Sequence, residues 1–130
     1  MYINAFVIYN IRGLGNKTDE LIINWVKVPP HILCLSEHRL SIEVTQSIIV
    51  DNYNLGAYYY RKFTKCGGVC IFLDKSYQFI NVNLNSHRKE QDIEMCAIRL
   101  VHSPLNFCVL SIYRSLTGNF DTFIKKLEEY

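Results

Sequence analysis

Two short apolar runs bracket an amphipathic stretch at the start of this chain, and that arrangement limits what it can fold into more than any other feature. Residues 5–9 (Ala-Phe-Val-Ile-Tyr) read as a buried strand, which Gly13 and Gly15 break. A helix is expected next, with Asn16 as N-cap and Asp19 three residues on in an acidic capping-box arrangement. Leu21, Ile22, Trp25 and Val26 share one face of it. Pro29-Pro30 stops the helix, and residues 31–36 form a second short apolar strand. Strand, helix, strand with short connections is the βαβ unit, whose crossover favours parallel strands. Ligand sites in such sheets gather at the carboxyl ends of the strands. Asn10 and Glu37 both stand there.

The pattern then changes. Residues 43–49 are a weak helical stretch. Residues 53–60, 69–73, 79–84, 94–100 and 107–113 are strand-like, rich in β-branched and aromatic residues. Turn-forming segments at 64–68, 74–76, 85–91 and 102–106 separate them, so an antiparallel run is expected. A clear helix closes the chain. Asn119 is its N-cap, and Phe120, Phe123, Ile124 and Leu127 follow helical spacing. The class is mixed α/β with a predominantly β middle. The sequence ends inside that helix without a C-cap, which reads as a single domain cut short over residues 1–130.

Composition narrows the function classes. Apolar residues make up 49% and charged residues 20%, which argues against disorder. The net charge of +2 supplies no strong basic field, so nucleic-acid binding must rest on a local patch. No apolar run is long enough for a membrane span, and no membrane partner is expected. The opening Met1-Tyr2-Ile3-Asn4 has no basic leader, so no secretory signal is expected. Of the five cysteines, Cys34, Cys70, Cys96 and Cys108 lie in apolar strand-like runs. Reduced, buried thiols in an intracellular protein, nuclear or cytoplasmic, fit that pattern. Cys66 and Cys70 lack a second pair at ligand spacing, so zinc is not expected.

Three segments carry candidate chemistry: Tyr9-Asn10-Ile11-Arg12-Gly13-Leu14, Cys34-Leu35-Ser36-Glu37-His38, and Ser111-Ile112-Tyr113-Arg114-Ser115-Leu116-Thr117-Gly118-Asn119. Hydrolysis of a phosphodiester with a divalent metal needs a carboxylate to hold the metal and polar groups to orient the phosphate. Magnesium takes oxygen ligands and keeps some water, so one or two carboxylates suffice. Plainer readings stand beside these. Asn10 is also a common strand-ending turn residue. Glu37 is also a surface strand end able to pair with Arg39. Tyr113 is also an amphipathic strand-end tyrosine. Arg61, Lys62 and Lys65, beside Tyr58, Tyr59 and Tyr60, suit phosphate contact or a solvated turn equally.

Taken in order, Asn-x-x-Gly-Leu at Asn10, an apolar strand ending Ser-Glu-His at Glu37, and Ile-Tyr-Arg-Ser-x-Thr-Gly-Asn at Tyr113 resemble the endonuclease/exonuclease/phosphatase superfamily. Within it the likeness is to the apurinic-type endonuclease domain of non-LTR retrotransposons. Tyr53-Asn54-Leu55-Gly56-Ala57 followed by Gly67-Gly68-Val69 is similar to a hairpin of that family, and the likeness covers essentially the whole chain. The resemblance implies an α/β fold, the N-terminal half of a layered sandwich of β-sheets flanked by helices. It implies a DNA-nicking phosphodiesterase using magnesium, or manganese in its place, with a reverse transcriptase domain as partner in a full-length polyprotein. Asn10 and Tyr113 then take catalytic roles and Glu37 the metal. Arg12, His38, Arg114 and Asn119 would contact DNA. Leu116 departs from the proline usual at its turn, and Cys66 stands where a third glycine is common. The family's later Gly-Asp-x-Asn and Ser-Asp-His-type segments do not occur here, so this chain alone is expected to be inactive. A superfamily phosphatase acting on small phosphorylated substrates, or a non-catalytic binding or relic domain, remains as an alternative.

Overall fold

The first strand, β1 (Phe6–Asn10), lies parallel to β2 (Ile32–Ser36), with Phe6 opposite Ile32 and Asn10 opposite Ser36. This comes from a computed structural model that describes residues 6–15, 29–101 and 108–129. The helix expected after Asn16 and the turn expected at 102–106 lie outside those residues.

β4 (Val69–Asp74) runs antiparallel to β2 on one side and to β3 (Tyr53–Tyr59) on the other. The result is a four-stranded sheet in the order β1-β2-β4-β3. A second sheet holds β5 (Phe79–Val82), β6 (Glu94–Leu100) and β7 (Cys108–Tyr113), all antiparallel, with β6 in the centre. The expected antiparallel run is therefore divided. Its first two strands complete the opening sheet, and its last three form a sheet of their own.

Strand alternation explains how the two sheets meet. Ile32, Cys34, Ala57, Val69, Ile71 and Leu73 point one way and pack against Cys96, Ile98, Leu100 and Val109. Leu33, Leu35, Cys70 and Phe72 point the other way and are covered by Ile11, Leu14 and Val50. Both faces of β2 and β4 are thus buried, which is why these strands are apolar without alternation. Gly56 marks a register shift in the pairing of β3 with β4. A Cβ there would lie 2.7 Å from Leu73 Cδ1 and 3.1 Å from Ile98 Cγ2, so glycine lets the sheets close at that point.

Two helices are described. α1 (Ile42–Ser47) starts at Ser41, whose hydroxyl accepts from the Val44 N–H. α2 (Phe120–Glu128) is capped by Asn119, whose Oδ1 accepts from the Thr122 N–H at 2.9 Å. Phe123 and Leu127 lay α2 against Leu84, Ile93, Met95 and Ala97 on the outer face of the second sheet. Among the described residues, no helix is long and apolar enough to cross a membrane. Cys34, Cys70 and Cys96 are buried as expected, and burial pushes the Cys34 thiol up to about 12. Cys108 is not buried: it lies exposed on β7, an edge strand, so that part of the cysteine expectation is corrected.

Candidate active site at the sheet rim

The parallel register brings Asn10 and Glu37 to the same rim, since Asn10 faces Ser36 and Glu37 is the next residue. The chain leaving β1 is then stitched along the chain leaving β2. Ile11 N donates to the Ser36 carbonyl at 3.0 Å, Gly13 N to that of Glu37 at 2.8 Å, and Leu14 N to that of His38 at 3.0 Å. The backbone here is unusual. Arg12, Glu37 and Arg39 all adopt left-handed conformations, with φ of 50°, 55° and 60°. Each costs a non-glycine residue roughly 1–2 kcal/mol, and such strain gathers at functional sites.

Tyr113 arrives from the other sheet. It ends β7, and its hydroxyl donates to Glu37 Oε1 at 2.5 Å, bridging the two sheets at their rim. Arg39 Nη2 lies 3.5 Å from Glu37 Oε2. The Tyr113 hydroxyl, the Asn10 amide and the Arg39 guanidinium hold the Glu37 carboxyl below its usual range, against the opposing effect of burial. Burial first, and then the bond to Glu37 and its charge, push the Tyr113 phenol up to about 12. At neutral pH the pair is therefore an ionised carboxylate and a protonated donor. An oxygen-rich rim with one ionised carboxylate suits a hard cation that keeps its own water. Among the described residues, no cluster of three or more His, Cys, Asp and Glu could cage a metal.

No protein-family model matches the sequence, and no curated protein matches it. Among solved structures, the chain is similar to the endonuclease domain of TRAS1, a telomere-specific non-LTR retrotransposon, with a TM-score of 0.65 and 11% identity. The match covers 95% of this chain and 50% of that one. The chain shares the fold of half of that domain. It spans half the length of this structural relative.

The residues expected to contact DNA are placed differently from one another. Arg12 is exposed beside Asn10. Arg114 is half-buried, stacked 5.3 Å over the Phe120 ring. Asn119 spends its side chain on the α2 cap, and its N–H on Asp92 Oδ1 at 2.6 Å. His38 corrects its expectation outright. It is fully buried, its Nε2 bonds the Tyr59 carbonyl at 2.7 Å, and its Nδ1 accepts from Leu40 N at 2.9 Å. Those bonds assign a neutral ring with its proton on Nε2, and burial pushes its pKa down. The space for the ring exists because Gly68, at φ +89°, carries no side chain.

The hairpin tip is corrected too. Lys62 and Lys65 are exposed, but the Arg61 side chain is buried, its Nε 2.6 Å from Glu94 Oε2. Sequence reasoning missed Glu94, whose side chain is fully buried. The signal was available: a carboxylate bordering an apolar strand, as at Glu37. Glu90 was missed as well, and it accepts from the backbone N–H groups of Lys62, Phe63 and Thr64.

Proposed function

We propose that this chain is part of a metal-dependent phosphodiesterase that nicks DNA. Asn10 and Tyr113 meet the phosphate, and Glu37 holds magnesium or manganese. The observation that carries this reading is the Tyr113–Glu37 hydrogen bond, which joins two sheet rims beside Asn10. The likeness to a retrotransposon endonuclease domain supports it at the level of fold. Glu37 stays ionised and so presents a charged oxygen to a cation. The Asn10 amide nitrogen bonds that carboxylate, which leaves its oxygen for the ion or its water. The Tyr113 hydroxyl remains a donor at neutral pH, suited to a phosphate oxygen on which negative charge develops. A bound magnesium would supply Lewis-acid polarisation of the phosphate. DNA is favoured over a small phosphorylated substrate by the exposure of Asn10 and Arg12 on an open rim.

One observation favours the second reading, a non-catalytic binding domain that keeps the fold. Attack by water needs a base, and the only histidine beside Glu37 in sequence has both ring nitrogens engaged inside the protein. These 130 residues are therefore expected to bind metal and DNA without cutting. The experiment pairs manganese titration with a magnesium-dependent plasmid-nicking assay, on the wild-type chain and Glu37→Gln. Manganese binding lost in Glu37→Gln supports the metal role, and binding that persists refutes it. Nicking by the wild-type chain that disappears in Glu37→Gln would show that a base is present after all.

A further inference from the structure

A buried ion pair is a weak source of stability, because desolvating both charges offsets their attraction; what it holds well is geometry. Arg61 and Glu94 form such a pair, with side-chain exposures of 7% and 0%. The Glu94 carboxylate accepts from Arg61 Nε at 2.6 Å, Gly68 N at 2.7 Å and Gln91 N at 2.9 Å. The bonds from Gly68 and Gln91 lead to the rim. The carbonyls of Gly67 and Gly68 accept from Arg39 N at 2.9 Å and His38 N at 3.4 Å, the two residues after Glu37. The Gln91 carbonyl accepts from Ser115 N at 3.0 Å, two residues after Tyr113. Glu94 is itself the register partner of Tyr113 in the pairing of β6 with β7. Arg61 also donates to the Lys65 carbonyl at 2.9 Å, closing the hairpin over the pair. A Cβ on Gly67 would run into the guanidinium, so the glycine is what admits it.

We infer that the Arg61–Glu94 pair is a positioning clamp that sets the distance between Glu37 on one sheet and Tyr113 on the other. Neither residue touches the rim oxygens; both act through the backbone on either side of them. In its metal arm the inference rests on the proposed role of Glu37, and in its geometric arm it does not.

The test uses the whole chain with tyrosine labelled at 13Cζ. The Tyr113 signal is assigned with Tyr113→Phe, and Glu37→Ala, which removes the accepting oxygens, marks its position when the bond to Glu37 is gone. Glu94→Gln removes the charge. Arg61→Lys keeps it but loses the second nitrogen that reaches Lys65. Val109→Ala, in the core between the sheets, is the control for general destabilisation. In the clamp variants the Tyr113 signal is expected to move toward its Glu37→Ala position, and manganese affinity to fall about 10- to 100-fold. Val109→Ala should leave both unchanged in the folded protein. A Tyr113 signal that stays at its wild-type position in both clamp variants overturns the inference, and so does loss of the fold in both. If the wild-type chain shows no Glu37-dependent manganese binding, the metal reading fails and the Tyr113 signal alone decides on the clamp.

Discussion

Replacing Tyr113 with phenylalanine removes one hydroxyl and leaves the ring. The change therefore isolates the bond that joins the two sheets at the rim. That bond is 2.5 Å long and its acceptor is ionised. A hydrogen bond to a charged group contributes roughly 1.5–3 kcal/mol. The Glu37 side chain retains 18% exposure and also pairs with Arg39, so solvent and the Arg39 cation both weaken what Tyr113 alone supplies. The lower end, about 1.5 kcal/mol, is the expected coupling. The assay is a double-mutant cycle of Tyr113→Phe and Glu37→Ala by urea denaturation, which cancels effects unique to either change. Carboxyl NMR of Glu37 gives a second reading: its pKa should rise in Tyr113→Phe, because its largest stabilising contact is gone. A coupling below about 0.5 kcal/mol, near the additivity noise, would refute the claim that this bond links the sheets.

Three further outcomes are expected. Gly68→Ala should destabilise the chain by about 3 kcal/mol, from left-handed strain and loss of both His38 hydrogen bonds, as judged by urea midpoints; a loss under about 1 kcal/mol would mean that the ring has room to move. The stability difference between wild type and Tyr113→Phe should depend on pH. Glu37, held low when folded, contributes above the usual carboxylate range and loses its contribution as pH falls through its depressed pKa. Tyr113, raised when folded, contributes below its ordinary value of 10.0 and loses that as pH climbs to about 12. A difference that stays flat across both limbs would contradict this assignment. Asn119→Ala should cost about 1 kcal/mol in thermal unfolding while Asn119→Asp stays near neutral, since either oxygen caps α2; equal losses in the two would place the effect elsewhere.

Residues whose partners are local were legible from the chain alone. The apolar runs at β1 and β2 and the cap at Asn119 depend on a few neighbouring residues. The βαβ pattern made β1 and β2 parallel neighbours. Once they are parallel, Asn10 and Glu37 reach one rim by counting along the strands. Tyr113 was legible as a strand end, but its distance from Glu37 was not, because it belongs to the other sheet.

What lay beyond the sequence depended on contacts between distant segments. The period of a strand says which residues alternate, not which sheet the strand joins. The insertion of β4 between β2 and β3 was therefore decided only by burying both of its faces. His38 reads as a solvent-facing neighbour of Glu37 until Gly68, thirty positions later, opens a space for its ring. Arg61 reads as a basic tip until Glu94 takes it inside. Cys108 reads as buried until its strand proves to be an edge. The sequence by itself determined the elements and the residues at their ends, because backbone preference and apolar period are local. The tertiary structure decided which polar side chains face water and which are locked inside, because a buried polar group is held by partners that only folding brings within hydrogen-bond distance.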